Sequence, residues 1–357
     1  MSRRRLRKFE RPEEALLHLL DAAGILKVGS KVWLHKPRVR EMGFQYLAVE
    51  ALVREYALAA EREYRGGVVY SKVYGGKEYK ILLGPGEEVA DASLADPNTS
   101  QRLLFSWRHL EELLPSPPLP AFVVDLSLKF MHTEEELSKL RLQIAVALSE
   151  VRKYLWDPHL VLTNIDPQTS GWIGEVLGEN KVTISQSKPS EILWSMDADR
   201  VVILRPDAPQ PLSGSEVLAA DAFLIGGIVD RIPRPGVSRI LDNLVPWGVP
   251  RKIELRGSVA GVPERINRII EILLKARYKY PGNLEKAIIT SMTKKDMLTR
   301  LYSEIIKRGR REGSGLAVKW SLYKELSSWL PITPEDFLLA AKRARARIED
   351  GPAKDNT

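Results

Sequence analysis

Short apolar runs alternate with amphipathic stretches through the middle third of the chain. The runs have the length of strands and read AFVVDLS, HLVLTN, KVTIS, RVVIL, AFLIGGIV and RKIEL. The stretches between and after them have helical periodicity and read TEEELSKLRLQIAVALSEVRKYL, QTSGWIGEVLG, SGSEVLAA, PGVSRILDNL and PERINRIIEILLKARY. Buried strands that alternate with helices are typical of a parallel sheet covered by helices on both faces. The pattern predicts an α/β domain over residues 119–280.

The first 118 residues show a mixed pattern. It predicts a helix in ERPEEALLHLLDAAGI, a longer amphipathic helix in GFQYLAVEALVREYALAAEREY, and a hairpin of VVYSKVY and KEYKILL. Gly75 and Gly76 join the two hairpin strands and can supply positive φ. The segment PSPPLP at 115–120 cannot continue a helix or a central strand, so it marks a domain end. We expect an α+β domain over residues 1–118.

Aromatic and basic residues interleave along the predicted hairpin. They are Tyr70, Lys72, Tyr74, Lys77, Tyr79 and Lys80. Such a surface could stack bases while holding phosphates, as in proteins that bind single-stranded nucleic acid. The alternative, which we favour, is an ordinary hairpin with one face in water.

From about residue 281 onward the pattern is helical only. The helical stretches read GNLEKAIITSM, TKKDMLTRLYSEIIKRGRREG, LAVKWSLYKELSSWL and TPEDFLLAAKRARARIED. In the last stretch, Thr333 followed by Pro334 is a typical helix start. The pattern predicts a C-terminal helical domain over residues 281–357.

Composition limits the class of protein. The 357 residues are 44% hydrophobic and 28% charged, as in globular proteins, and the length suggests two or three domains. No apolar run reaches about 18 residues, and no apolar segment follows the basic start, so we expect no membrane span, no signal peptide and a cytoplasmic protein. The chain has no Cys and its five His are scattered, so no metal centre or thiolate nucleophile is expected.

Positive charge is concentrated in three segments. The chain carries 54 Lys and Arg against 46 Asp and Glu, a formal charge of +8. The basic segments are residues 3–11, residues 275–311, and AKRARAR, which we expect to close the last helix. Phosphate backbones bind many cationic side chains along an extended surface, so we predict a nucleic-acid partner. The alternative is that these segments are ordinary solvated helix faces.

Three loops follow strands of the predicted sheet and suggest a small-molecule pocket. No GxGxxG, GxxxxGK[ST] or GxSxG sequence is present, so a Rossmann turn, a P-loop and a hydrolase elbow are not indicated. Instead, RVVIL runs into RPDAP, AFLIG into GIVDR, and RKIEL into RGSVAGVPERIN. Open α/β sheets bind ligands at this carboxyl edge, and Gly226 and Gly227 would allow close approach of the backbone. The alternative is that these are ordinary turn glycines.

The segment AFLIGGIVDR at 222–231 carries a family resemblance, together with VVILRPDAP before it and VPERINRIIEIL after it. It resembles the SPOUT-class methyltransferases that modify N1 of the purine at position 9 of tRNA, with the archaeal branch nearest in character. The resemblance covers roughly residues 121–280, including VVDLS, Gln143 and LTN. It implies a SPOUT-type trefoil-knotted parallel sheet, a rare exception to unknotted folding, between the N-terminal α+β and C-terminal helical domains. It also implies a monomer that binds S-adenosylmethionine in a bent form.

The resemblance assigns cofactor-binding positions in all three loops. They are Leu204, Pro206 and Asp207 in the first loop, Gly226 and Gly227 in the second, and Leu255, Gly257, Val262, Pro263 and Ile266 in or near the third. Two departures stand out. Arg205, Pro206 and Asp207 replace the usual Thr-Ser-Asp, and Glu254 replaces a usual proline.

Asp230 is the predicted catalytic residue. Methyl transfer from a sulfonium to a ring nitrogen is an in-line displacement in which the enzyme mainly positions the reactants. With guanine, a carboxylate could remove the N1 proton as general base. With adenine, it could accept a hydrogen bond from the N6 amino group and offset the developing positive charge. The alternative is that Asp230 caps a turn or pairs with Arg231.

The predicted substrate contacts are Gln143, Arg231, Arg234 and Arg239. Gln143 matches a position that the family uses near the target base, and the three arginines could hold phosphates beside it; each could equally be a surface residue. The target purine must be unstacked, which costs free energy. We expect an extended basic surface on the two end domains to provide the binding free energy that offsets this cost.

Taken with the resemblance, the sequence predicts S-adenosylmethionine-dependent methylation of N1 of purine 9 in tRNA. Asp230 suits both bases, so guanine or dual specificity stays open, and only the likeness to the archaeal branch favours adenine. The alternative from another class is a non-catalytic RNA-binding protein whose α/β domain is a scaffold.

Overall fold

Three sheets organise the part of the chain that the computed structural model describes, which is residues 8–228, 239–313 and 315–350. The first sheet has the strand order β3-β4-β1-β5-β2-β6. Its region contains α1 (Pro12–Ala22), β1 (Lys27–Ser30), α2 (Lys36–Met42), α3 (Phe44–Arg54), β2 (Ala57–Ala60), β3 (Arg65–Tyr74), β4 (Lys77–Val89), β5 (Ala92–Ala95), β6 (Leu103–Ser106) and α4 (Trp107–Glu112).

The predicted hairpin is confirmed, and the predicted long helix after Gly43 is confirmed only as far as Arg54. Strands β3 and β4 pair antiparallel around Gly75 and Gly76, whose φ angles are 55° and 78°. Helix α3 ends at Arg54 because Glu55 adopts a left-handed φ of 60°. The alanine-rich segment that follows forms β2, which is paired with β5 and β6 on its two sides. Sheet pairing overrides the helix propensity of alanine.

The aromatic side chains of the hairpin pack inward. Tyr79 is fully buried, and its hydroxyl donates a hydrogen bond to Asp21 at 2.7 Å. The Tyr70 ring lies directly against Gly43, where a Cβ would collide with it. Lys72 forms an ion pair with Glu13 at 2.7 Å. These contacts favour the ordinary hairpin over the base-stacking surface.

The second sheet is the predicted parallel sheet, with the strand order β12-β10-β11-β7-β8-β9. Its region contains β7 (Ala121–Asp125), α5 (Glu134–Arg152), β8 (Leu160–Thr163), α6 (Pro167–Leu177), β9 (Thr183–Ile184), α7 (Pro189–Ser195), β10 (Val201–Leu204), α8 (Gly214–Ala219), β11 (Ala222–Gly226), α9 (Ile240–Leu244), β12 (Val249–Arg251) and α10 (Ile266–Leu274). All five strand pairs are parallel. Along β7, Phe122 and Val124 enter one apolar core while Ala121 and Val123 enter another, so both faces are covered.

The last predicted strand of this sheet, RKIEL, is displaced. The observed β12 ends at Arg251, and Lys252 donates its backbone N–H to Gln210 at 3.0 Å instead of continuing along β10. Strand β12 is an edge strand, which is where a residue such as Pro250 can be accommodated.

The C-terminal region contains the predicted helices and a third sheet that was not predicted. The elements are α11 (Leu284–Ile289), α12 (Lys294–Arg308), β13 (Arg310–Glu312), β14 (Gly315–Lys319), α13 (Trp320–Ser327), α14 (Pro334–Arg343) and β15 (Ala346–Glu349). Helix α14 begins as expected, with the Thr333 side chain accepting from the Asp336 N–H.

The prediction that AKRARAR closes the last helix is wrong. Helix α14 ends at Arg343, and Arg345 turns the chain with a φ of 51° into β15, which pairs parallel with β14. Arg347 is the residue of this segment that has acidic partners in the small sheet, since it lies 2.9 Å from Glu312, while Arg310 of β13 lies 2.9 Å from Glu349. Pairing between strands therefore neutralises Arg347.

One apolar core runs from the parallel sheet into the C-terminal helices. It contains Phe122 of β7, Phe223 of β11, Leu301 of α12 and Phe337 of α14. The domain boundary predicted at residue 280 therefore falls within a continuous core.

A buried histidine should make stability depend on pH. His159 is fully buried, its Nδ1 lies 2.9 Å from the Pro120 carbonyl oxygen, and burial lowers its pKa from 6.5 to about 4. Between these two pH values His159 is protonated in the unfolded chain and neutral in the folded chain. The free energy of unfolding therefore decreases as pH falls from about 6.5 towards 4. We expect a loss on the order of 2–3 kcal/mol between pH 7 and 4.5 from this group. In urea unfolding, the free energy of unfolding of His159→Gln should decrease less over this pH range than that of wild type. Parallel pH curves for the two proteins would show that His159 is not the cause of the pH dependence.

Candidate active site

The register of the parallel sheet brings four polar or glycine-rich strand ends to one edge. Leu204 at the end of β10 pairs with Ile225 on one side and Arg251 on the other. Gly226 pairs with Asp125, and Asp125 pairs with Thr163. Because all these strands are parallel, the loops that follow them leave at the same carboxyl edge, where α/β sheets bind ligands. The first two predicted loops therefore start side by side.

The first loop is organised by arginine–carboxylate pairs. Arg205 contacts Asp207 at 2.8 Å and Asp242 of α9 at 3.1 Å, and Arg239 contacts Asp207 at 2.7 Å. The hydrogen bonds from Arg239 and Arg205 hold the pKa of Asp207 below its usual value. Arg205, the departure from the family pattern, thus ties the loop to α9. Predicted cofactor residue Asp207 and predicted substrate residue Arg239 lie together, while Pro206 beside them is exposed.

The second loop begins with two glycines that are closely packed, and the packing requires a glycine at position 227. The Gly227 N–H donates to the Asp125 carbonyl oxygen at 2.8 Å, and a Cβ at Gly227 would lie 2.7 Å from that oxygen and collide with Leu126. A Cβ at Gly226 would lie 3.3 Å from Leu241. A bulky residue at position 227 would disrupt the contact with Asp125 and Leu126. A loss of cofactor binding in Gly227→Val could therefore result from impaired folding.

A buried carboxylate stands beside this loop and was not assigned from the sequence. Asp125 is 2% exposed and accepts hydrogen bonds from the hydroxyls of Ser127 at 2.5 Å and Thr163 at 3.2 Å, and from the Asn164 side-chain amide. These residues come from VVDLS and LTN. Polar residues placed directly after two apolar strands were the signal that could have identified them.

The third loop contains a tight turn. Leu255 and Ser258 exchange backbone hydrogen bonds of 2.8 and 3.2 Å, and between them Arg256 and Gly257 have φ angles of 48° and 73°. Two successive positive φ angles are typical of a two-residue hairpin turn. A Cβ at Gly257 would meet nothing within 4 Å, so this backbone is open to a ligand. The predicted residues Leu255, Val262, Pro263 and Ile266 are buried behind it.

Arg300 of α12 holds the third loop from the C-terminal side. It is 1% exposed, and its Nη1 donates to the Leu255 carbonyl at 2.6 Å and to the Ser258 carbonyl at 3.4 Å. Its Nε lies 2.9 Å from Glu304. A Cβ at Gly261 would lie 2.7 Å from the Arg300 Cβ, so the loop is pressed against α12. From the sequence, Arg300 was one cation of a basic segment; its spacing with buried Leu301 and Glu304 was the overlooked signal.

Gln143 joins helix α5 to the end of the third loop. Its side-chain oxygen accepts a hydrogen bond from the Ile266 N–H at 2.9 Å, at the first residue of α10. The residue before α10, Arg265, provides no side-chain cap, so Gln143 supplies one from another helix. A predicted substrate residue and a predicted cofactor residue are thereby brought together.

Three predicted site residues, Asp230, Arg231 and Arg234, lie outside the described residues. Within residues 8–228, 239–313 and 315–350, no group of three or more His, Asp or Glu side chains is arranged to hold a metal ion. The same part of the chain contains no helix with the length and hydrophobicity of a membrane span.

Two curated relatives match much of the chain, although no family model matches it. The tRNA (adenine(9)-N1)-methyltransferase of Sulfolobus acidocaldarius is 31% identical over 265 residues, which cover 73% of this chain and 80% of that protein. The tRNA (guanine(9)-/adenine(9)-N1)-methyltransferase of Thermococcus kodakarensis is 32% identical over 237 residues, which cover 62% of this chain and 61% of that protein.

Solved structures share the fold. The crystal structure of Sulfolobus acidocaldarius Trm10 with S-adenosylhomocysteine matches with a TM-score of 0.65 at 24% identity, covering 93% of this chain and 98% of that one. A second crystal structure of that protein matches with a TM-score of 0.53 at 28% identity, covering 80% of this chain and all of that one. The SPOUT-type fold is confirmed, and the trefoil knot stays a prediction. The chain belongs to the Trm10 family of tRNA purine-9 N1-methyltransferases.

Proposed function

We propose that this protein transfers a methyl group from S-adenosylmethionine to N1 of the purine at position 9 of tRNA, with adenine as its main target. The observation that carries the proposal is the relationship to a tRNA (adenine(9)-N1)-methyltransferase over 80% of that relative's length. The second relative, named for both guanine and adenine, supports the purine and the position and keeps dual specificity as the competing outcome. We further propose a monomer that acts in the cytoplasm.

The residues at the sheet edge fit a nucleoside cofactor. There is open space beside the Gly257 backbone, and Leu204, Leu255 and Ile266 belong to one apolar core, which supports the proposal that an apolar part of the cofactor packs beside them. S-adenosylmethionine supplies an electrophilic methyl group when bound. In our proposal it is held by Leu204, Pro206, Asp207, Gly226, Gly227, Leu255, Gly257, Val262, Pro263 and Ile266.

The proposed catalytic residue is Asp230, which belongs to the second loop. Holding the target nitrogen in line with the methyl group supplies much of the rate, and Asp230 adds charge compensation or proton removal. Arg231, Arg234 and Arg239 would hold phosphates near the target. Gln143 acts in part through the Ile266 N–H, so its loss would alter the third loop even if it also meets the base.

The test is mass spectrometry of nucleosides from unmodified tRNA incubated with protein and S-adenosylmethionine. We expect N1-methyladenosine from a tRNA with adenine 9, and little N1-methylguanosine from the matched tRNA with guanine 9. Equal products would establish dual specificity in place of adenine preference. Binding of tRNA without any methylated product would favour the non-catalytic RNA-binding alternative.

The C-terminal basic segment offers a prediction about tRNA binding. Arg308 lies 2.6 Å from Glu325 and Arg310 lies 2.7 Å from Glu312, whereas Lys307 and Arg311 form no ion pair with any described residue. Reversing Lys307 and Arg311 to Glu should weaken tRNA binding and lower its salt slope by about one for each phosphate that is no longer bound. Filter binding at several salt concentrations measures both quantities.

The control for this prediction is Lys139→Glu on α5, where Lys139 is an exposed cation already paired with Glu135 at 2.8 Å. It should leave the salt slope unchanged. An unchanged slope in the Lys307 and Arg311 double variant would contradict a phosphate-binding role for this segment.

A further inference from the structure

The segment that links β1 to α2 presents a basic and aromatic surface. Residues 31–40 read KVWLHKPRVR and contain four Lys or Arg and no acidic residue. Leu34 and Val39 are buried in the N-terminal core, which fixes the segment at two points. Between and beside these anchors, the exposed side chains include Trp33, His35, Lys36, Arg38 and Arg40. We call residues 31–40 the Trp33 surface.

The cations of this surface differ from the lysines of the β3–β4 hairpin. Lys72 and Lys77 of the hairpin are paired with Glu13 and Asp21, each at 2.7 Å. In the Trp33 surface, Lys31 is paired with Glu61 at 2.8 Å, but Lys36, Arg38 and Arg40 form no ion pair with any described residue. Three cations without acidic partners within five positions make a local site for an anion of extended shape.

Trp33 is 77% exposed, and its ring lies 6.0 Å from that of His35. Because Leu34 and Val39 fix the segment, the exposed indole is held in place as a flat apolar face that a ligand can cover. An unpaired nucleobase can cover such a ring by stacking while its phosphates meet neighbouring cations. A membrane surface would also meet cations, but the aromatic and basic residues here occupy a short segment of the size of a few nucleotides.

We propose that the Trp33 surface binds an unpaired stretch of the tRNA, with a base stacked on Trp33 and phosphates on Lys36, Arg38 and Arg40. The inference rests on the proposed function for the identity of the RNA. It gives the N-terminal region an RNA-binding role at a place that none of the three basic segments includes.

The test measures tRNA dissociation constants of the full chain without cofactor. Trp33→Ala should raise the dissociation constant by about 5- to 150-fold, the loss of one stacked base, and Trp33→Tyr should recover most of it. Changing Lys36, Arg38 and Arg40 together to Gln should lower the salt slope by up to about three. A single-stranded RNA competitor should displace tRNA from wild type better than a duplex of equal length, and Trp33→Ala should lose this preference.

Trp194→Ala is the matched control, because Trp194 on α7 is 78% exposed and packs edge-on against Trp247. It should leave tRNA affinity unchanged. Wild-type affinity in Trp33→Ala, an equal loss in Trp194→Ala, or a Trp33-dependent binding of phosphatidylglycerol vesicles with unchanged tRNA affinity would each overturn the inference. Failure of the proposed function would appear differently, as tRNA binding without methylation.

Discussion

Replacing Asp230 with Asn should slow methylation of a tRNA carrying adenine 9 by about 10²–10³-fold. Asn keeps an oxygen that can accept from the N6 amino group but removes the negative charge that offsets the developing positive charge on the ring. Loss of one such electrostatic interaction typically slows a reaction by a factor of this size. Single-turnover rates with saturating tRNA and cofactor measure it without contributions from binding.

The same substitution should behave differently with guanine 9. There Asp230 would remove the N1 proton, so the defect should shrink as pH rises and the guanine ionises without help. With adenine the defect should vary little with pH above the pKa of the carboxylate. Comparing pH–rate profiles of wild type and Asp230→Asn on the two tRNAs therefore separates charge compensation from general-base catalysis.

The control for both profiles is cofactor affinity, measured by calorimetry, which Asp230→Asn should leave unchanged. A variant that matches wild type on both tRNAs across the pH range would show that Asp230 caps a turn or pairs with Arg231. The catalytic assignment would then be wrong.

Removing Arg300 should both destabilise the protein and weaken cofactor binding. In Arg300→Met, Glu304 keeps only the exposed Arg308 as its partner and the Leu255 carbonyl loses its donor, so we expect a loss of about 3 kcal/mol in the free energy of unfolding. Arg300→Lys keeps a charge beside Glu304, but a single ammonium lacks the planar fork that reaches both Glu304 and the turn. Its stability should fall less, while its cofactor affinity should still fall.

Arg152→Lys provides the matched control for Arg300→Lys. Arg152 forms a two-point pair with Asp157, with both distances 2.7 Å, and donates to the Glu179 carbonyl, so it also joins an ion pair to a backbone contact. The Arg152→Lys variant should have a lower free energy of unfolding in urea and an unchanged affinity for S-adenosylmethionine. Unchanged cofactor affinity in Arg300→Lys would mean that the turn at 255–258 does not hold the cofactor.

The parallel sheet could be predicted because its strands are buried on both faces and read as continuous apolar runs. β12 was misplaced because an edge strand is short and only partly apolar, so KIEL looked more like a strand than VPR did. The small C-terminal sheet was not predicted for a related reason: β13 and β15 are short and carry Arg and Glu side chains, and only pairing between strands shows why these charges are tolerated there.

The interactions that shape the third loop could not be predicted from local pattern. Gln143 and Ile266 are 123 positions apart, and Arg300 and Leu255 are 45 apart. Nothing near Gln143 in the sequence distinguishes a side chain that caps a distant helix from one in water. The spacing of Arg300 with Leu301 and Glu304 indicates a buried face of α12 but does not identify the loop that Arg300 contacts. Gly226 and Gly227, in contrast, could be identified from the sequence as positions where the backbone is closely approached. The structure shows that the elements close to them are the end of β7 and helix α9.

The apolar core that crosses residue 280 affects how truncated chains should be interpreted. A chain that ends at residue 280 would lack Leu301, Phe337 and the other C-terminal members of this core, and would expose the apolar side chains that pack against them. Such a fragment would aggregate or melt early, and the whole region from β7 to α14 would denature as one cooperative unit. Inactivity of the fragment would then report a disrupted core, and only point substitutions on the surface can test whether the C-terminal region binds RNA.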